Sequence, residues 1–141
     1  MFNKIFKKSI KIDDDDNNVL IAALLIHAAR IDDNYTNAEK DIIKKALINL
    51  NLVDKNKVEE LLAKAEKKEQ ESNQIIGFTK EIKKNSMEFR LKIIEILWKI
   101  VYSDSASDNF ESNLIRRVCG LLYVSDFDSG TIKLRIKNSV K

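Results

Sequence analysis

A chain of 141 residues with no proline and only three glycines has few places where a helix is forced to stop. Leu, Ile, Lys, Glu and Ala dominate its periodic segments. Apolar residues recur at helical spacing through most of the chain, and only Gly130 to Ile136 alternates as a strand would. That stretch also reads as helix here, because it sits inside a longer helical pattern. The expectation is an all-α, single-domain bundle of about seven to eight helices.

The helices can be placed from their caps and apolar faces. Phe2, Ile5, Phe6 and Ile10 line one side of a short amphipathic segment rich in lysine. The acidic run Asp13 to Asp16 then closes a terminal region, residues 1–16, ahead of the helical domain, residues 17–141. Val19 to Ile31 is apolar nearly all round and belongs in the core. Thr36-Asn-Ala-Glu39 is a capping box that opens a helix to about Asn51, and Asn85-Ser-Met-Glu88 has the same pattern for Met87 to Tyr102. Asp54 is expected to cap a segment bearing Val58, Leu61, Leu62 and Ala65, whose tail AEKKEQES reads as solvated. A further helix is expected over Ile75 to Ile82. Asp108 opens the next, and Ser125 or Asp126 the last.

Composition narrows the function. Hydrophobic residues at 44% and charged residues at 33% describe a globular chain. A net charge of +3 is too small for the concentrated basic face of a nucleic-acid binder. The lone Cys119 excludes an internal disulfide, and its apolar setting predicts burial; Arg116 and Arg117 nearby leave a reactive thiol as the alternative. No apolar run approaches the ~20 residues of a membrane span, and the start of the chain lacks a small-residue cleavage site, so a cytoplasmic protein is expected.

Two stretches repeat. Leu25-Ile-His-Ala-Ala-Arg-Ile-Asp32, then Glu39, Ile42 and Ile43, is answered 72 residues later by Leu97-Trp-Lys-Ile-Val-Tyr-Ser-Asp104, then Glu111, Leu114 and Ile115. Each unit reads as an αα-hairpin across an acidic turn, which predicts a pseudo-two-fold arrangement. With Ile115-Arg-Arg-Val118 and Leu121-Leu-Tyr-Val-Ser-Asp126 following, the chain resembles the TerB-like (tellurite resistance protein B) family from about Val19 to Lys137. The glycine that follows each Asp in that family is Asp33 in the first copy and Ser105 in the second. The resemblance implies a cytoplasmic helical protein linked to tellurite resistance or stress responses. It also implies action within membrane-associated or chaperone-like complexes.

Asp32, Glu39, Asp104 and Glu111 are the candidate site. Carboxylates in turns can ligate a hard divalent cation such as Ca, Mg or Mn. An EF-hand is excluded, because Asn37 and Ile43 stand where its glycine and bidentate glutamate belong. The competing account is structural: Glu39 and Glu111 reach back to cap their own helices, while Asp32 and Asp104 bond their own backbone. A role of these turns in protein recognition is a third reading. His27, the only histidine, reads as a partly buried, satisfied side chain. No zinc set, phosphate loop or nucleophile–base pair is present, and no enzymatic activity or certain cofactor is expected. A protein partner is expected. The first eleven residues should pack on the domain or on a second copy, giving a homodimer; docking on an anionic membrane surface is the alternative.

Overall fold

The computed structural model describes residues 17–31, 35–72, 75–103 and 109–139, the side chains of residues 109–112 excepted. All regular structure among them is helical: α1 (17–30), α2 (Asn37–Asn49), α3 (Val58–Glu71), α4 (Ile76–Lys83), α5 (Met87–Ser103), α6 (Asn109–Leu122) and α7 (Asp126–Ser139). The expected segment at Phe2 to Ile10 and the acidic run lie outside the described residues.

Helices α1 and α5 hold the centre: α1 is apolar nearly all round, and α5 gathers Glu88, Lys92, Glu95 and Lys99 on one narrow stripe. Val19, Ile21 to Ile26, Ala28 and Ala29 are buried in α1; Ile93, Ile94, Ile96 to Trp98, Ile100 and Val101 are buried in α5. All join one contiguous core. Burying each Leu or Ile contributes roughly 1.5–3 kcal/mol. Helix α5 is flanked by α2, α4, α6 and α7. Within the apolar run 19–29, the polar interruption His27 is half-buried and finds Glu69 of α3.

Caps explain the boundaries. Ser86 accepts from Phe89 N at 3.2 Å and so begins α5, one residue later than the capping pattern at Asn85 suggests. The Asn85 amide instead donates back to Glu81 O at 3.0 Å and closes α4. Asp54 does not cap α3. Its carbonyl takes Lys57 N at 2.9 Å in a turn, and α3 starts at Val58 with no side-chain cap. Ser125, accepting from Asp128 N at 3.0 Å, opens α7.

Helices α2 and α6 end alike. Leu52 N donates to Leu47 O at 3.1 Å, and Val124 N donates to Cys119 O at 2.9 Å. Between them Asn51 (φ 60°) and Tyr123 (φ 57°) take the left-handed conformation. Both are Schellman closures, which satisfy carbonyls at a helix end. In α6 the strained position falls on Tyr123, not on Gly120, which lies inside the helix.

Helix α7 settles the alternating stretch Gly130 to Ile136. A turn of about 100° per residue sends Ile132 and Ile136 inward and Leu134 outward, and the burial follows that pattern.

Candidate functional site

Of the four candidate carboxylates, the side chain of Glu39 alone is described; Asp32, Asp104 and the Glu111 side chain lie outside the described residues. Thr36 sits in extended conformation ahead of α2, which aims its hydroxyl at the open end of the helix. Glu39 N donates to Thr36 Oγ1 at 3.1 Å. Glu39 Oε1 accepts from Thr36 N at 2.9 Å and from Thr36 Oγ1 at 3.1 Å. This is a complete capping box, with its carboxylate fully buried. The Glu39 carboxyl also lies in the first turn of α2, where the helix dipole favours an acidic side chain.

Around this cap, α1, α2 and α3 are joined by charge. His27 Nδ1 lies 3.1 Å from Glu69 Oε2, and Arg30 Nη1 lies 3.4 Å from Glu69 Oε1. Lys40 Nζ lies 3.6 Å from Glu66 Oε2. Tyr35 is enclosed by two cations: the Arg30 guanidinium is 5.3 Å and the Lys40 ammonium 4.9 Å from its ring centroid. Burial first, and the Glu66 carboxylate second, push the Tyr35 hydroxyl well above the ordinary phenol value. The tail of α3 is therefore docked on α1 through Glu69, not solvated throughout as its sequence suggests.

That polar clamp is legible only in hindsight. His27 and Arg30 stand three apart on α1, and Glu66 and Glu69 stand three apart on α3. Two helix faces of opposite sign at matched spacing were the available signal. The clamp balances cations against carboxylates and ties together α1, α2 and α3. Among the described residues, no group of three or more His, Cys, Asp or Glu side chains is placed to hold a metal ion.

The second half is built differently. Trp98 is buried and its Nε1 donates to Ser129 Oγ of α7 at 3.1 Å. Its ring stacks on Tyr102 with centroids 6.1 Å apart, and the Lys133 ammonium lies 5.1 Å from its centroid. A surface cavity of about 350 Å³ beside it is lined by Arg116, Asp126 and Lys133 among others. Another of about 350 Å³ lies between α2 and α5 and presents Lys45, Lys92 and Lys99 with Glu95. Cys119 is buried, and burial raises its thiol above the ordinary value, which keeps it protonated and poorly nucleophilic at neutral pH.

The family model described as "Tellurite resistance protein TerB" matches residues 18–134. The chain belongs to the TerB family. No curated protein and no solved structure matches it. The match spans both repeat units and the helices that carry the clamp and the Trp98 contact. No helix among the described residues is long and apolar enough to cross a membrane.

Proposed function

We propose that this TerB-family chain is a non-enzymatic, cytoplasmic interaction module serving a tellurite-resistance or stress response. The observation that carries the reading is the outer face of α7, where Phe127 is 80% and Leu134 60% exposed. Large apolar side chains aligned at i and i+7 on one helix form a face suited to a protein partner. Two further facts support a role without catalysis. The only histidine is engaged with Glu69, and the only cysteine is buried with its thiol pushed up.

The test is cross-linking of the whole chain in cells, comparing wild type with Phe127→Glu and Leu134→Glu. Loss of the cross-linked products with an unchanged melting temperature supports the reading. An unchanged product pattern sinks it.

The rival reading is a divalent-cation sensor using Asp32, Glu39, Asp104 and Glu111. The box around Glu39 weighs toward capping, because Oε1 is already held by Thr36. A melting temperature that rises with calcium, magnesium or manganese, and stops rising in Glu39→Gln and Glu111→Gln, would favour the sensor. No metal response, with both substitutions only destabilising, favours the cap.

A further inference from the structure

Helix α7 carries apolar side chains on two opposite sides. Ile132 and Ile136 enter the core, while Phe127 and Leu134 stand in solvent with Thr131 between them. At about 100° per residue, Phe127, Thr131, Leu134 and Asn138 share one outward stripe.

The charges beside this stripe are ordered along the helix. Asp126 and Asp128 occupy its first turn, whereas Lys133, Arg135 and Lys137 follow in its second half. By the same helical geometry Asp126, Lys133 and Lys137 fall on one flank of the stripe, and Asp128 and Arg135, the latter also paired with Glu95 of α5 at 3.2 Å, on the other. When two identical helices pack antiparallel, each flank faces the same flank of its mate. Each acidic start then meets a basic end of like flank, and Phe127 of one copy meets Leu134 of the other. Parallel packing would set acid against acid and base against base. The stripe and both flanks are thus self-complementary in one orientation only.

We propose that the outer face of α7 is covered by α7 of a second copy of this chain. The helices pack antiparallel about a two-fold axis passing near Gly130 and Thr131. This rests on the reading of α7 as an interaction face and names its partner. Gly130 helps: a Cβ placed there would meet nothing of its own chain within 4 Å, so the position is open to an approaching helix. A contact built on one 14-residue helix is about 21 Å long. That is at the small end of specific interfaces, so the dimer is weak and reversible.

Sedimentation of the intact chain over a range of concentrations tests this. The expected result is a reversible monomer–dimer equilibrium, at least tenfold weaker in Phe127→Glu and Leu134→Glu while their melting curves stay native. Orientation is tested by charge. Asp126→Lys and Lys137→Asp should each weaken self-association, and an equimolar mixture of the two should be tighter than either variant alone, because both 126–137 contacts are again between opposite signs. Thr131→Cys, next to the axis, should form a disulfide with its counterpart under mild oxidation, while buried Cys119 stays reduced. A chain that remains monomeric into the millimolar range overturns the proposal, as does a mixture no tighter than either variant. If the chain stays monomeric but cells still yield Phe127-dependent cross-links to another protein, the second copy is excluded and the interaction reading stands. If neither self-association nor any cross-link depends on Phe127 and Leu134, both fall.

Discussion

Helices α3 and α7 each cover one central helix, and they differ in how their outer sides are finished. Helix α3 buries Val58, Leu61, Leu62 and Ala65, adds a charged contact in which Glu69 faces His27 and Arg30, and exposes mainly lysine and glutamate. Helix α7 meets α5 with a buried indole–hydroxyl bond, aliphatic packing and an ion pair of Arg135 with Glu95 at 3.2 Å, and its outer side still leaves Phe127 and Leu134 in solvent. One covering helix is finished for water and the other is not. Similar helical layers can therefore end in a polar outer side in one half of a domain and in a partly apolar one in the other.

The contrast can be broken most severely at Trp98. Trp98→Ala should cost about 3–5 kcal/mol in chemical denaturation, because it empties a core site and strands Ser129. A loss under ~1 kcal/mol would mean that α7 does not depend on this anchor. The polar side is weaker. Glu69→Ala removes one carboxylate from two half-buried partners and should cost roughly 1.5–3 kcal/mol. A double-mutant cycle with Arg30→Ala should show coupling of at least about 0.5 kcal/mol; strict additivity would remove Glu69 from the clamp.

A subtler comparison sits at the ends of α2 and α6. Asn51 tolerates the left-handed conformation better than Tyr123 does. Tyr123→Gly should stabilise by about 0.5–1 kcal/mol, the relieved strain being partly offset by loss of the Lys83 contact, 4.4 Å from the ring centroid. Asn51→Ala should destabilise. If Tyr123→Gly destabilises instead, the exposed ring has a packing role that its 66% exposure does not suggest.

The last prediction has no effect at neutral pH. The folded state holds the Tyr35 proton more tightly than the unfolded chain, whose phenol ionises near the ordinary value of 10.0. Above that pH the unfolded state loses the proton first, so stability falls as pH rises. Tyr35→Phe should flatten this alkaline fall, measured by denaturant midpoints between about pH 9 and 11. An identical slope in wild type and variant would rule the tyrosine out as its source.

Much of this was visible in the sequence. The lack of proline, the helical period and the capping residues gave an all-helical fold, with Glu39 in its box and Cys119 in the core. The reading failed by small steps where several residues compete for one local role. Asn85 and Ser86 can both cap, and the backbone chose Ser86 while turning Asn85 back onto α4. Asp54 had the composition of a cap and became a turn. The polar clamp was missed for a different reason: its partners lie on α1 and α3, about forty residues apart, and periodicity within one helix carries no information about which face of another it will meet. The two-fold relation expected between the hairpins rests on the 72-residue spacing of Leu25 to Ile43 and Leu97 to Ile115; the left-handed Asn51 and Tyr123 stand at the same spacing, and hairpins that fail to superpose would remove the relation.

The all-round apolar character of α1 bears on how the chain is made. A ribosome extends it at about 5–20 residues per second, so several seconds separate the appearance of α1 from that of α5. During that interval α2 and α3 can each shield one side of α1, but its remaining surface has no mate. The segment 19–29 is thus the stretch most exposed to premature self-association on the growing chain, and the one that folding chaperones would be expected to hold.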